Sequence, residues 1–372
     1  MIYVLRDSRV DYPAADFNVS TIGMLEVYQS LIWNIEFQGQ SYFELVTAYS
    51  EENIRLLKEG SYLVREIDWK NDEMHNVMAI QTVIIEYDID NGIIMRVIGK
   101  GLKNDLFRKR VLTPAKNLKG NAETQIRNLI TSIFITTTNR LIPGFGLDSA
   151  IGFTNQIDVQ VLGENFAEWL EEKCREYGWG WDVYIKYGSY HFTFLKGEDR
   201  SVSQSINMPI IFSKEFDNLY KSTYQKDVTN FKNMVYIYGE EYPDDSPNAG
   251  KRKNTYYPAD NQPIGFNRFE KYIDSSLSSK EGDTSLSEQE YREVLRSEAK
   301  QEINQQKLLD FTAEIESDGI YKLNKDYFLG DIVTVKTEIG INANARIIGI
   351  VYAEDENGIN SELTFSEWEV IQ

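Results

Sequence analysis

The chain has 372 residues, 42% of them hydrophobic and 13% aromatic, and a formal net charge of −19. That apolar and aromatic content excludes wholesale disorder, and at roughly 150 residues per domain the length suggests two to four domains. The acidity excludes binding to nucleic-acid phosphates, which needs clustered Lys and Arg, and it repels anionic lipid headgroups.

One cysteine, Cys174, rules out an intrachain disulfide. The N-terminus lacks the basic and apolar regions of a secretory signal. No run approaches 18 apolar residues. The expectation is a soluble chain made in a cytoplasm.

Residues 1–105 read as strands. Trp33-Asn-Ile-Glu-Phe37 alternates as a half-buried strand should, and Phe43–Ala48 is a second. A β-pattern then begins: Gly60 leads a strand to Val64, Ile80–Asp88 follows after a polar stretch, and Asp90-Asn-Gly92 predicts a hairpin into Ile93–Ile98. The same pattern recurs near the other end. Phe328-Leu-Gly330 leads a strand to Val335, then Ile347–Tyr352, an acidic Asn357-Gly358 turn and Leu363–Phe365.

Residues 106–206 change to α+β. Asn121 is placed to cap a helix with Ile126, Leu129, Ile130, Ile133 and Phe134 on one face. A second helix is predicted from about Gly163 to Tyr177, ended by Gly178, with Cys174 on its apolar face. A hairpin around Gly188-Ser189 follows. Residues 207–240 return to strands, Asn233–Gly239 being the clearest. Residues 241–307 read as a turn-rich insertion and a helix opened by a Ser287/Glu290 capping box. The expected domains are therefore 1–105, a β-domain; 106–206, α+β; 207–240 with 308–372, a second, split β-domain; and 241–307, an inserted loop and helix.

Motifs for chemistry are sparse. His75 and His191 each stand alone, without the neighbours a metal site needs. There is no Walker loop, nucleophile elbow, dinucleotide fingerprint or zinc-protease motif. Asp244-Asp245 and Asp355-Glu356 are ordinary turn residues as readily as calcium ligands. No catalytic, metal or cofactor residue is assigned. One cluster stands out: Gly197-Glu-Asp-Arg-Ser201, Pro209–Ser213, Phe216-Asp-Asn-Leu219 and Asn230–Asn233. Here Asp199, Arg200, Lys232 and Asn233 are expected to pin a domain junction through charged hydrogen bonds, rather than to form an anion site.

That cluster, with Gly239-Glu240, Asn139, Arg140, Pro143 and the Phe328–Val335 segment followed by Arg346-Ile-Ile348, resembles the siphovirus tail-hub family, the structural N-terminal part of tail-associated lysins. The resemblance spans about 120–368 by motif and 1–105 by pattern. It implies a mixed β and α+β, multi-domain fold like that of baseplate hubs, with two related barrel-like antiparallel β-domains. It also implies a homotrimeric ring that adapts six-fold tail symmetry to a three-fold tip around the DNA channel. The implied partners are a distal tail ring protein, the tape-measure protein and a fibre, spike or receptor-binding component. The implied location is the virion tail tip, after assembly in the bacterial cytoplasm. Because the sequence ends just past the second module, the resemblance implies a hub without its own enzyme. The alternatives are a carbohydrate-binding adhesin, using Tyr256-Tyr257 in a predicted surface loop, and a cell-wall hydrolase.

Overall fold

The computed structural model describes residues 1–370 except 12–15, 90–91, 228, 230, 282–283, 305–307, 316–319, 339, 341 and 357. In chain order its principal strands begin with β1 (Ile2–Asp7), β2 (Val19–Leu25), β3 (Ser30–Glu36), β4 (Tyr42–Ala48), β5 (Ser61–Arg65), β6 (Met78–Asp88) and β7 (Gly92–Gly101). Helices α1 (Leu102–Phe107), α2 (Ala122–Ile130) and α3 (Phe166–Tyr177) precede the hairpin of β8 (Gly180–Lys186) and β9 (Ser189–Leu195). Then come β10 (Ile211–Ser213), β11 (Leu219–Asp227), β12 (Met234–Glu241), β13 (Arg252–Tyr257), β14 (Glu270–Asp274) and α4 (Glu288–Asn304). The chain closes with β15 (Leu308–Ile315), β16 (Ile332–Lys336), β17 (Asn342–Asp355) and β18 (Gly358–Val370).

Thirteen of the described strands form one sheet, running β11-β15-β18-β17-β3-β4-β7-β6-β5-β1-β2, with β16 beside β17 and β10 beside β16. Within it one five-strand order occurs twice: β3-β4-β7-β6-β5, and β11-β15-β18-β17-β16. The registers also agree. Trp33, Phe43, Gly99 and Ile80 lie in one row across the first unit, and Tyr224, Phe311, Phe365 and Ile347 in the matching row of the second. Each hairpin carries a bulge at the next residue, Gln81 in one and Ile348 in the other. Bulges shift register and bend the strand, so the pleat has the same defect in both copies. Each leading strand starts after a left-handed glycine, Gly60 at φ +83° and Gly330 at φ +95°.

Both Asn-Gly turns fall partly outside the described residues, since Asn91 and Asn357 are not described. Their flanking pairs, Asp88 with Gly92 and Asp355 with Gly358, close the two hairpins.

The two units meet at one seam. The first half of β17 pairs with β16, and its second half, Gly349–Glu354, pairs antiparallel with β3, Glu36–Leu31. A single long strand thus belongs to both units.

Among the described residues the buried apolar side chains gather in four clusters, one in each five-strand unit, one around the helices and one in the insertion. The helical cluster is built on aromatics. Phe107 sits 4.5 Å from Phe134 and 5.0 Å from Trp181, ring centre to ring centre. Asn121 caps α2 through Thr124 N–H. Asn165 caps α3, which starts at Phe166 rather than Gly163, and Gly178 ends it at φ +71°. The Ser287/Glu290 box forms reciprocally at the start of α4.

One strand lies elsewhere than its sequence suggests. Met234–Glu241, expected with the second β-domain, pairs with β13 and β14 and packs on α4. Its alternation is that of a half-buried strand on any sheet. In the insertion its Val235 and Ile237 join the core of α4, and Gly239 gives room for the Tyr291 hydroxyl, which a Cβ would meet at 2.1 Å. That hydroxyl accepts from Glu240 N–H at 2.9 Å and donates to the Leu277 carbonyl at 2.8 Å.

Candidate functional site: the interlocking of the β-units

The motif cluster assembles around β16. After β9 the chain reaches Gly197, at φ +69°, whose Cβ, if present, would lie 2.0 Å from the Gly330 carbonyl oxygen. The two glycine backbones therefore touch. Asp199 and Ile332 form a parallel bridge, with Ile332 N–H donating to Glu198 and Arg200 N–H to Ile332. The Arg200 guanidinium donates through Nε to Asp331 at 2.8 Å and through Nη2 to Glu198 at 2.5 Å.

Asp331 is 1% exposed and accepts also from the N–H groups of Glu198, at 2.7 Å, and Phe328, at 2.9 Å. Burial pushes its carboxyl up. The Glu198 N–H, Arg200 and the Phe328 N–H pull it back, and the balance stays above the ordinary carboxylate value. Asp199 accepts from Ser201 N–H. Asn218 spans its own turn, accepting from Ser213 N–H at 2.8 Å and donating to the Ile211 carbonyl at 2.9 Å. This turn seats Phe212 in the second unit's core.

The structure thus brings Asp199 and Arg200 together and leaves Lys232 and Asn233 apart. Asn233 ties Asn267 and Phe269 within the insertion. Among the described residues no hydrogen bond or ion pair joins Lys232 to Arg200 or Asp331. The acid that completes the Arg200 pair is Asp331, which stands in the Phe328–Val335 motif. The Phe328–Val335 motif carries a single charge, Asp331, whereas the Gly197–Ser201 motif already offers Arg200 two acids of its own, so the sequence did not single out the pair.

The seam itself was not legible in the sequence. Beside it lies a cleft of about 970 Å³ lined by residues of both units, among them Tyr28, Arg65, Tyr327 and Tyr352. Tyr28 donates to Glu354 at 2.7 Å, and the Arg65 guanidinium covers the Tyr352 ring.

The helical domain is tied in by a buried lysine. Lys103 donates to the backbone carbonyls of Glu36 and Trp181. Burial holds its ammonium below the ordinary lysine value, against the carboxylates of Asp182, Glu171 and Glu36. His75 lies 3.4 Å from Asp182 and 3.6 Å from Glu73, stacked on Tyr184. His191 faces Asp148 at 3.3 Å. Cys174 is buried, and burial pushes its thiol up, away from reactivity. Among the described residues no group of three or more His, Cys, Asp or Glu could hold a metal ion, and no helix is long and apolar enough to cross a membrane. Tyr256 and Tyr257 lie in strand β13 rather than a loop, on opposite faces. Tyr256 is exposed and Tyr257 packs on the insertion's core.

These arrangements fasten strands and domains to one another. Residues 15–365 match the family model described as siphovirus ReqiPepy6 Gp37-like protein, and the chain belongs to that family. Its fold is a mixed β and α+β architecture resembling phage tail-hub folds. It is similar to the prophage MuSo2 43 kDa tail protein from Shewanella oneidensis, at 14% identity over 99% of this chain and 98% of that one, with a TM-score of 0.54. It is also similar to the tail protein from Neisseria meningitidis MC58, at 15% identity over 98% and 96%, with a TM-score of 0.52. A search of curated protein sequences finds no match.

Proposed function

We propose that this chain is a structural hub at the tail tip of a phage or phage-like particle. Three copies form a ring around the DNA channel, and their six barrel-like β-units adapt six-fold tail rings to a three-fold tip. The observation that carries this reading is the repeated five-strand order, with matching bulges, in one chain. Two quasi-equivalent units per chain are what a trimer needs to present six similar surfaces, and closed cyclic assembly uses a heterologous interface without growing into fibres.

In this reading the domains are 1–105, 106–206, and 207–233 with 308–372, the strand Met234–Glu241 moving from the expected 207–240 segment into the insertion, 234–307. Asp199 and Arg200, with Asp331, hold the second β-unit to the α+β domain. A distal tail ring protein sits above, the tape-measure protein passes through, and a fibre, spike or receptor-binding component attaches below. The role is structural, with no catalysis, no cofactor, no sequence-specific nucleic acid and no membrane insertion. The adhesin reading has less support, because Tyr256 and Tyr257 do not share a face. Light scattering on the purified chain tests the proposal. A mass near three times 43.1 kDa is expected, and a monomer at every concentration would overturn the trimer.

A further inference from the structure

The cleft beside the seam departs from the rest of the chain in charge. Acids outnumber bases 58 to 39 in the whole sequence. Around the cleft the order inverts: Arg65, Lys70, Lys322 and Lys325 stand against Glu66 and Glu354. Arg65 is matched by buried Asp68, and Glu354 is held by the Tyr28 hydroxyl. The three lysines are exposed, and among the described residues no ion pair joins a carboxylate to any of them. They are also grouped. Lys70 Nζ donates to the Asn324 carbonyl at 3.0 Å, which brings the first unit's lysine onto the turn that holds the other two.

Much of the remaining lining is apolar. Leu31 and Ile350 are buried, and Tyr28, Leu323 and Tyr352 are half-buried. Ile67, from the first unit, is 51% exposed, and Ile359, from the second, 61%. Apolar side chains left to water around a concavity mark an interaction site, and about 970 Å³ is within the range of clefts that bury a ligand.

We propose that this cleft binds an acidic peptide segment of a partner protein. Its carboxylates meet Lys70, Lys322 and Lys325, and a bulky apolar side chain beside them packs on Ile67, Tyr352 and Ile359. Charge complementarity selects this occupant. An anionic membrane or a nucleic-acid backbone would bring many charges to a chain of net charge −19 and be repelled outside the cleft. A short segment brings only the few that three lysines match. Both units contribute to the site, so a segment held there bridges the seam. The inference does not rest on the hub reading.

Isothermal titration calorimetry on the full chain tests this, with the peptide acetyl-Glu-Glu-Leu-Phe-Glu-Glu-amide as probe. Saturable binding is expected, weakening as salt is raised. The peptide with Gln in place of Glu, and the one with Ser in place of Leu and Phe, are expected to bind at least tenfold more weakly. The original peptide is expected to lose at least as much against Lys322→Glu/Lys325→Glu and against Ile67→Ser/Ile359→Ser. These four side chains are exposed, so circular dichroism should be unchanged. The peptide with Lys in place of Glu should bind the charge-reversed variant better than wild type. No saturable binding, equal binding of the Gln or the Ser peptide, or undiminished binding by either variant overturns the inference. Tighter binding of dodecanoate or of phosphatidylglycerol vesicles gives the cleft to a lipid and overturns the peptide. Probe binding that falls as the protein is concentrated, with larger species in light scattering, gives it to a second copy and overturns the partner. The hub reading is decided separately, by the mass of the unliganded chain.

Discussion

Arg65 sits over Tyr352, its guanidinium carbon 4.0 Å from the ring centre. The cation comes from the first β-unit and the ring from the strand shared by both. The same guanidinium donates to buried Asp68 at 2.7 Å, and Asp68 also accepts from Asn76. A stacked cation whose charge is matched by a buried carboxylate is a directional fastening for the seam.

Truncating this fastening is expected to be costly. Arg65→Met leaves the Asp68 carboxylate buried without its cation, a loss of about 3–5 kcal/mol. Tyr352→Leu removes only the stacking, about 1 kcal/mol. Urea unfolding of both variants, followed by far-UV circular dichroism, checks the order.

At the other junction, Asp331→Ala strips one ion-pair partner and two backbone N–H groups of their acceptor, and should lose about 3–5 kcal/mol. Arg200→Ala should lose about 1.5–3 kcal/mol. Arg200→Lys should recover only part of this, because one ammonium does not reproduce the fork that reaches Asp331 and Glu198 together. Limited proteolysis should show faster cleavage near residues 196–201 in all three.

The two repeated glycines offer a matched pair. Gly60→Ala meets nothing closer than 3.7 Å, so its cost is that of the left-handed backbone, about 1–2 kcal/mol. Gly330→Ala adds a Cβ 2.2 Å from the Phe37 ring, which is fully buried. It should lose clearly more, or yield no folded protein, and comparing melting temperatures and soluble yield distinguishes them.

His75 sets a pH dependence. Burial disfavours its cation, but Asp182 and Glu73 favour it more, so its folded pKa lies above the ordinary 6.5. A raised folded pKa contributes stability that is complete below the unfolded value and lost as pH rises through the folded one. The melting-temperature difference between wild type and His75→Gln should therefore be largest below about pH 6.5 and shrink above it. The side chain is partly exposed, so the effect should be small. A difference that grows with pH would contradict the assignment.

The elements were legible where the signal is local. Asn121 and Ser287 cap helices because each sits before an apolar period, and the repeat showed itself through glycine position and alternation. Partners were not legible where the signal is long-range. Alternation in Met234–Glu241 specifies a half-buried strand without saying on which sheet. Nothing near Trp33 announces Tyr352, because pairing across more than three hundred residues depends on the register of every strand between. Lys103 shows why burial of charge is hard to foresee: its two acceptors are backbone carbonyls of two strands far apart in the chain, β3 and β8, and a backbone carbonyl carries no side-chain signature. For Arg200 the half-motif was readable and its acid was not.

The insertion leaves the sheet after Asp227 and rejoins it at Leu308, and these two residues face each other across neighbouring strands. Its entrance and exit are therefore side by side. Against the rest of the chain it leans on Gln160, whose side chain accepts from Ser278 N–H at 2.6 Å. An element attached in this way is a cassette. It can be lengthened, shortened or exchanged for another while the strands that carry it keep their places, so this part of the chain is free to change without redesigning the sheet that bears it.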